Sequence, residues 1–151
     1  MDTVLNSKKL REKIRILERK LGALEEYHKS CCSVTMAQCH AIVEIGRADN
    51  ISLNQLAELL NLENSSMSRT VNNLVKKELV KRAIDMQDRR YVAISLTEKG
   101  MELFKGIEED MDSYYLKVYE TIPREKRLQV VEGLSVLIEA INTNKIVIEK
   151  G

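Results

Sequence analysis

Between Asn64 and Leu79 the chain reads NSSMSRTVNNLVKKEL, and its polar members are of a particular kind. At the helical step of about 100° per residue, Ser65, Ser66, Ser68, Arg69, Asn72, Asn73 and Lys76 fall on one side and Met67, Val71, Leu74 and Val75 on the other. Serine, asparagine and arginine hydrogen-bond phosphates and base edges alike, and the strip holds no carboxylate before Glu78. A merely solvated helix would mix Glu with Lys. The spacing therefore predicts a reading face for a nucleic-acid groove, with Lys76 placed for a phosphate.

A second chemistry-bearing group lies upstream. All three cysteines and both histidines, His28, Cys31, Cys32, Cys39 and His40, fall between residues 28 and 40. Three readings stay open. The cysteines are small core residues; or a thiolate is oxidised and condenses with another cysteine; or thiolate and imidazole ligands take a soft metal or metalloid. An adjacent Cys31–Cys32 bridge is strained, so Cys39 or a second subunit is the better partner for oxidation. The spacing has no paired C-x-x-C knuckles, and no cofactor is required.

The elements that must position these residues are legible on either side. Ser52-Leu53-Asn54-Gln55 fits a capping box that opens a short helix with Leu56, Leu59 and Leu60 as its apolar side. Asn61 to Glu63 makes a turn, and Asn64 is placed to cap the next helix. Two short helices so joined read as helix-turn-helix, whose second helix enters the major groove. Leu79–Ile84 and Tyr91–Leu96 then read as two strands rich in β-branched residues. Their tip, Asp85 to Arg90, is charged, and its arginines suit a phosphate backbone or a narrow minor groove. The pattern is a winged helix-turn-helix.

With SLNQLAELLNLENSSMSRTVNNLVKKELVKR, the wing DMQDRRYVAISLTEKG and long flanking helices in hand, the chain resembles the MarR family of bacterial transcription regulators over nearly its whole length. The resemblance implies an all-helical dimer with a small wing. It also implies that the second helix and Arg90, with Arg89, touch DNA while Asp88 holds an arginine in place. Where members often carry a further arginine before that aspartate, this chain has Gln87. Zinc-sensing members carry histidines in the helix after the wing, where this chain has Glu108, Glu109, Asp110 and Asp112. The family also offers a cleft for a small organic effector, bordered by the segment that holds the cysteines.

Outside this unit, Lys8 to about Lys29 reads as a helix with Leu10, Ile14, Leu17, Leu21 and Leu24 in a heptad-like stripe. Too little chain surrounds it to bury that stripe, so a partner subunit is the expected cover. Thr35-Met36-Ala37-Gln38 fits a second capping box, opening a helix to about Gly46 with Cys39, Ile42, Val43 and Gly46 on its apolar side. Thr97 is placed to cap a long helix to about Glu120, with Leu103, Ile107, Met111, Tyr114 and Val118 facing one way. Thr121-Ile122-Pro123 breaks it. A last helix, Arg124 to about Asn142, repeats Leu128, Val131, Leu134, Ile138 and Ile141. By the resemblance, the terminal helices with the first form the dimer interface.

The fold class expected is mainly α with a small β-wing: one domain over 1–151, a DNA-binding lobe over about 35–96, and dimerisation helices over about 8–30 and 97–142. The chain of 151 residues has one Pro, six Gly and few aromatics, which favours helix. Its net charge of +1 averages a basic segment Asn64–Tyr91 at +4, a basic first helix Lys8–Lys20 at +5 and a remainder at −8. That asymmetry is the footprint of phosphate binding. No twenty-residue apolar run and no signal segment appear, so a soluble cytoplasmic protein without a membrane partner is expected. H-E-x-x-H, G-x-S-x-G and glycine-rich phosphate loops are missing, which argues against an enzyme. The expectation is a homodimeric regulator that represses from a pseudo-palindromic double-stranded operator. A small effector, or thiol oxidation or soft metal(loid) binding at the Cys/His cluster, would release it. The alternative is a winged-helix protein–protein interaction module that does not bind DNA.

Overall fold

The computed structural model describes residues 2–32, 34–84, 87–88 and 92–144, and within 25–32 the backbone alone. Ten elements follow in chain order: α1 (Thr3–Cys32), α2 (Met36–Ala48), β1 (Ile51–Ser52), α3 (Leu53–Leu59), α4 (Asn64–Lys76), β2 (Val80–Ile84), β3 (Val92–Leu96), α5 (Glu98–Thr121), a 3₁₀ turn (Arg124–Lys126) and α6 (Arg127–Thr143). Contacts divide the chain into two compact units, Met1–Glu108 and Glu109–Gly151. The boundary falls within α5.

In the first unit α2 packs against α3, α4 and β3. Ile42, Ile45, Leu56, Met67, Val71, Leu74 and Ile94 are its fully buried centre. Both capping boxes form as the sequence requires. Thr35 Oγ1 accepts from the Gln38 N–H at 3.1 Å, and the Thr35 N–H donates to Gln38 Oε1 at 3.2 Å. Ser52 and Gln55 repeat the exchange at 3.1 and 3.0 Å. Each box satisfies two helix-end groups that would otherwise lack partners.

The turn between α3 and α4 is a Schellman closure. The Asn61 N–H donates to Glu58 O and the Leu62 N–H to Ala57 O, with Asn61 at φ 54°. Asparagine tolerates that left-handed backbone, so the tight connection costs little. α4 ends in the same way: Glu78 at φ 61° donates to Val75 O, and Leu79 donates to Leu74 O. Here the left-handed position is held by a glutamate, which gains nothing from it. On α3, Leu56 and Ala57 are buried, whereas Leu59 is 57% exposed, so Leu59 does not belong to the apolar side expected of it. At about 100° per residue Leu59 sits roughly 110° from the middle of the buried Leu56–Ala57 face, which turns it toward solvent.

The two expected strands form an antiparallel hairpin stem in register from Val80↔Leu96 to Ile84↔Val92. A third strand, β1, adds to the far side of β3 through Ile51↔Ile94 and Ser52↔Ala93, giving the order β1-β3-β2. β3 alternates, with Ile94 and Leu96 buried. In β2 only Val80 is buried, and the rest of the strand stands in solvent. The stem therefore leaves the core as it extends.

Glycine packing ties α5 to this unit. A Cβ on Gly100 would lie 2.0 Å from Leu79 O, and one on Gly46 would lie 2.5 Å from the Phe104 ring. Thr97 joins the same corner, as expected for a cap. Its Oγ1 accepts from the Gly100 N–H at 3.0 Å and donates to Glu78 O at 2.6 Å.

In the second unit Pro123 precedes a 3₁₀ turn, so the α-helix starts at Arg127 rather than Arg124. Arg127 staples the break. It donates to Ile122 O and Glu120 O at 3.0 Å each and lies over the Tyr119 ring, 5.2 Å from its centroid. Along α6, Leu128, Val131, Leu134, Ile138 and Ile141 are all at least 44% exposed. Among the described residues, no helix is long and apolar enough to cross a membrane.

Candidate nucleic-acid interface

The reading helix separates its faces as its sequence does. Met67, Val71 and Leu74 are wholly buried, while Ser65, Arg69, Asn72, Asn73 and Lys76 are exposed and Ser66 and Ser68 half-buried. The apolar row fixes the helix to α2 and α3, and that fixation leaves the polar row facing water. One expectation fails: Asn64 is not the cap. Glu63 occupies that position with no side-chain cap bond, and Asn64 is already the first helical residue. The Schellman turn at Asn61 uses up the connection one residue earlier than a cap at Asn64 needs.

A cleft of about 460 Å³ opens beside this face, lined by Ser52, Leu53, Asn54, Ser68, Asn72, Arg82, Val92 and Ile94. It brings the start of α3, the polar row of α4 and the wing stem around one space. Across it, an Arg82 guanidinium N–H donates to Asn72 Oδ1. Sequence reasoning included Arg82 in the basic segment but did not assign it to the site. Strand alternation puts Arg82 on the face of Val80, and the register sets it opposite Ile94, one of the two buried residues of β3, on that same face.

Of the wing residues, Gln87 is exposed and Asp88 half-buried. Arg89 and Arg90 lie outside the described residues. The structure thus describes the stem that carries them.

The Cys/His cluster is described in part. Cys39 is half-buried and His40 exposed, side by side on the first turns of α2. His28, Cys31 and Cys32 belong to the last turns of α1, and their side chains lie outside the description. Among the described residues, no group of three or more metal-ligating side chains gathers.

With this geometry in place, comparison with known proteins is specific. The model of the MarR family matches residues 34–92, the span from just before α2 to the first residue of β3. Over those residues the chain is similar to the MarR family. Among curated relatives, the HTH-type transcriptional regulator YfiV of Bacillus subtilis (strain 168) is 27% identical over 125 residues, covering 83% of this chain and 77% of that protein. The HTH-type transcriptional repressor MdtR of the same organism is 22% identical, over 74% and 72% of the two chains. Among solved structures, Streptococcus pneumoniae FabT in complex with DNA superposes with a TM-score of 0.84 at 21% identity, covering 92% of this chain and 99% of that one. At that identity the likeness is one of fold.

Proposed function

We propose that this MarR-family transcription regulator, a DNA-binding protein and not an enzyme, acts as a homodimeric repressor on a pseudo-palindromic operator. α4 of each subunit enters a major groove, and the wing follows the backbone beside it. The observation that carries the reading is the division of α4. Its carboxylate-free polar row is exposed or half-buried, while Met67, Val71 and Leu74 on the opposite side are wholly buried. Ser65, Ser66, Ser68, Arg69, Asn72 and Asn73 supply groove contacts and Lys76 a phosphate contact. Arg89 and Arg90, oriented by Asp88, supply the wing contact.

The dimer is supported by apolar surface that each unit leaves uncovered. Leu10, Leu17 and Leu21 of α1 are at least 38% exposed, and the α6 row is more so. A two-fold pair would set two reading helices about one DNA turn apart. Release is assigned to the α1–α2 junction, where Cys31, Cys32, Cys39, His28 and His40 lie, by thiol oxidation, soft metal(loid) binding or a small effector. The reading is supported by the likeness of fold to FabT, a protein seen in complex with DNA, and by the relative MdtR, which is named a repressor.

The test is titration of duplex DNA from the protein's own promoter region at several salt concentrations, with sedimentation to count subunits. A basic reader that neutralises several phosphates loses affinity by roughly 10³-fold or more between 50 and 200 mM salt. A monomer with no attraction to duplex at low salt would return the chain to the class of protein-interaction wings.

A further inference from the structure

We infer that Arg82 is a specificity-determining residue: by holding Asn72 Oδ1 from the wing stem, it fixes which end of the Asn72 amide faces the DNA bases. The inference rests on α4 being the reading helix and adds a residue that its sequence did not assign to the interface.

A guanidinium has only donors, so the Asn72 atom it meets must be the carbonyl oxygen, and the amide cannot be turned about without breaking the bond. An unheld asparagine on an exposed helix face would flip freely and present either its oxygen or its nitrogen. The strand places the Arg82 backbone, pairing it with Ile94, which is 1% exposed, and the bond to Asn72 is what sets the guanidinium against α4. Ser68 lies one turn before Asn72 and lines the same cleft, which places the pair inside the groove-facing surface.

The chemistry that follows is one of donors. With its oxygen drawn toward the wing, Asn72 offers Nδ2 to the groove. Nδ2 matches the acceptors of the major-groove edge: a purine N7, guanine O6 or thymine O4. Arg82 has further N–H groups, so it can hold Asn72 and still meet a phosphate. Its distinctive effect is therefore on preference and not on affinity alone.

The experiment is selection from a pool of randomised duplex oligonucleotides with the full-length protein, followed by competition binding on single-base-pair variants of the enriched site. Asn72→Ala identifies the base pair that Asn72 reads, by flattening preference there. Arg82→Met is expected to flatten the same base pair by on the order of tenfold and leave the remaining motif intact. Arg82→Lys, which still donates, should retain the preference. Circular dichroism on each variant confirms folding, which exposed positions are expected to preserve. The inference is overturned if Arg82→Met lowers affinity equally on all sequences, because Arg82 is then a backbone contact only. It is also overturned if Asn72→Ala changes no position. A wild-type protein that enriches no motif overturns the reading helix itself, an outcome distinct from the other two.

Discussion

Lys77, the residue that closes α4, donates from Nζ to Oε1 of Gln38 at 2.9 Å, and the same oxygen accepts the Thr35 N–H that caps α2. Gln38 is only 6% exposed, and its buried amide oxygen is satisfied by these two donors. One carbonyl oxygen thus joins the start of the Cys39–His40 helix to the end of the reading helix. Replacing Gln38 by Ala removes the cap partner and leaves Lys77 without that acceptor. We expect a loss of about 1–3 kcal/mol in urea denaturation. Lys77→Met should cost about 0.5–1.5 kcal/mol, and the double variant should cost less than the sum of the two. Strict additivity would mean that the bond carries no energy.

Two glycines of α5 make opposite predictions. A methyl on Gly100 collides with the Leu79 carbonyl, a backbone atom that also accepts the Thr97 N–H at 3.0 Å. Gly100→Ala should destabilise by about 1–3 kcal/mol or more, because the backbone must move to admit it. Gly106 meets nothing within 4 Å and lies in mid-helix. Gly106→Ala should stabilise by about 0.5–1 kcal/mol through helix propensity alone. Paired thermal melts check both, and equal melting temperatures for the two variants would refute the packing argument.

The end of α4 gives a third. Glu78 stands at φ 61° where glycine is favoured, and its role in the corner is made by its carbonyl, which accepts from Thr97 Oγ1. Glu78→Gly keeps that carbonyl and relieves the left-handed strain, so a gain of up to about 1 kcal/mol is expected. Thr97→Val removes both the cap and the bond to Glu78 O, for a loss of about 1–2 kcal/mol. Chemical denaturation of the two variants should move in opposite directions.

What the sequence made legible follows from period and chemistry. The faces of α4 were readable because Met67, Val71 and Leu74 repeat at helical steps, and both capping boxes because they are local exchanges between residues three apart. β1 was not readable: two residues have no period, and Ile51 becomes a strand only because Ile94 offers an edge. Leu59 and Asn64 were misread for a related reason, since the Schellman turn at Asn61 sets where α3 stops and α4 starts. The Arg82–Asn72 bond joins two elements across a turn and a strand register, which no single helical or strand pattern encodes.

Salt dependence separates the two kinds of contact on α4. Lys76 is exposed at the end of the polar row and is assigned to a phosphate. Lys76→Ala should weaken binding uniformly across sequences and lower the slope of log affinity against log salt by about 1. Arg69→Ala, assigned to the groove, should also alter base preference, costing about 1–3 kcal/mol on the preferred site and less on a mismatched one. Equal losses on both sites would place Arg69 on the backbone.

The thiol assignment makes a prediction that the Gln38–Lys77 bond sharpens. If oxidation or a soft metalloid at Cys31, Cys32 and Cys39 releases DNA, peroxide or arsenite should weaken binding by the wild type. The same treatment should leave the triple Cys→Ser variant bound. Cys39 follows Gln38 directly in α2, so a change of charge or bulk there acts on the residue that receives Lys77 from α4. Lys77→Met should then bind DNA in the reduced state and respond less to oxidant than the wild type does. Binding titrations of the three proteins, with and without reductant, decide it. A full oxidant response in Lys77→Met would route the signal through another contact, and no response in the wild type would leave the cysteines as packing.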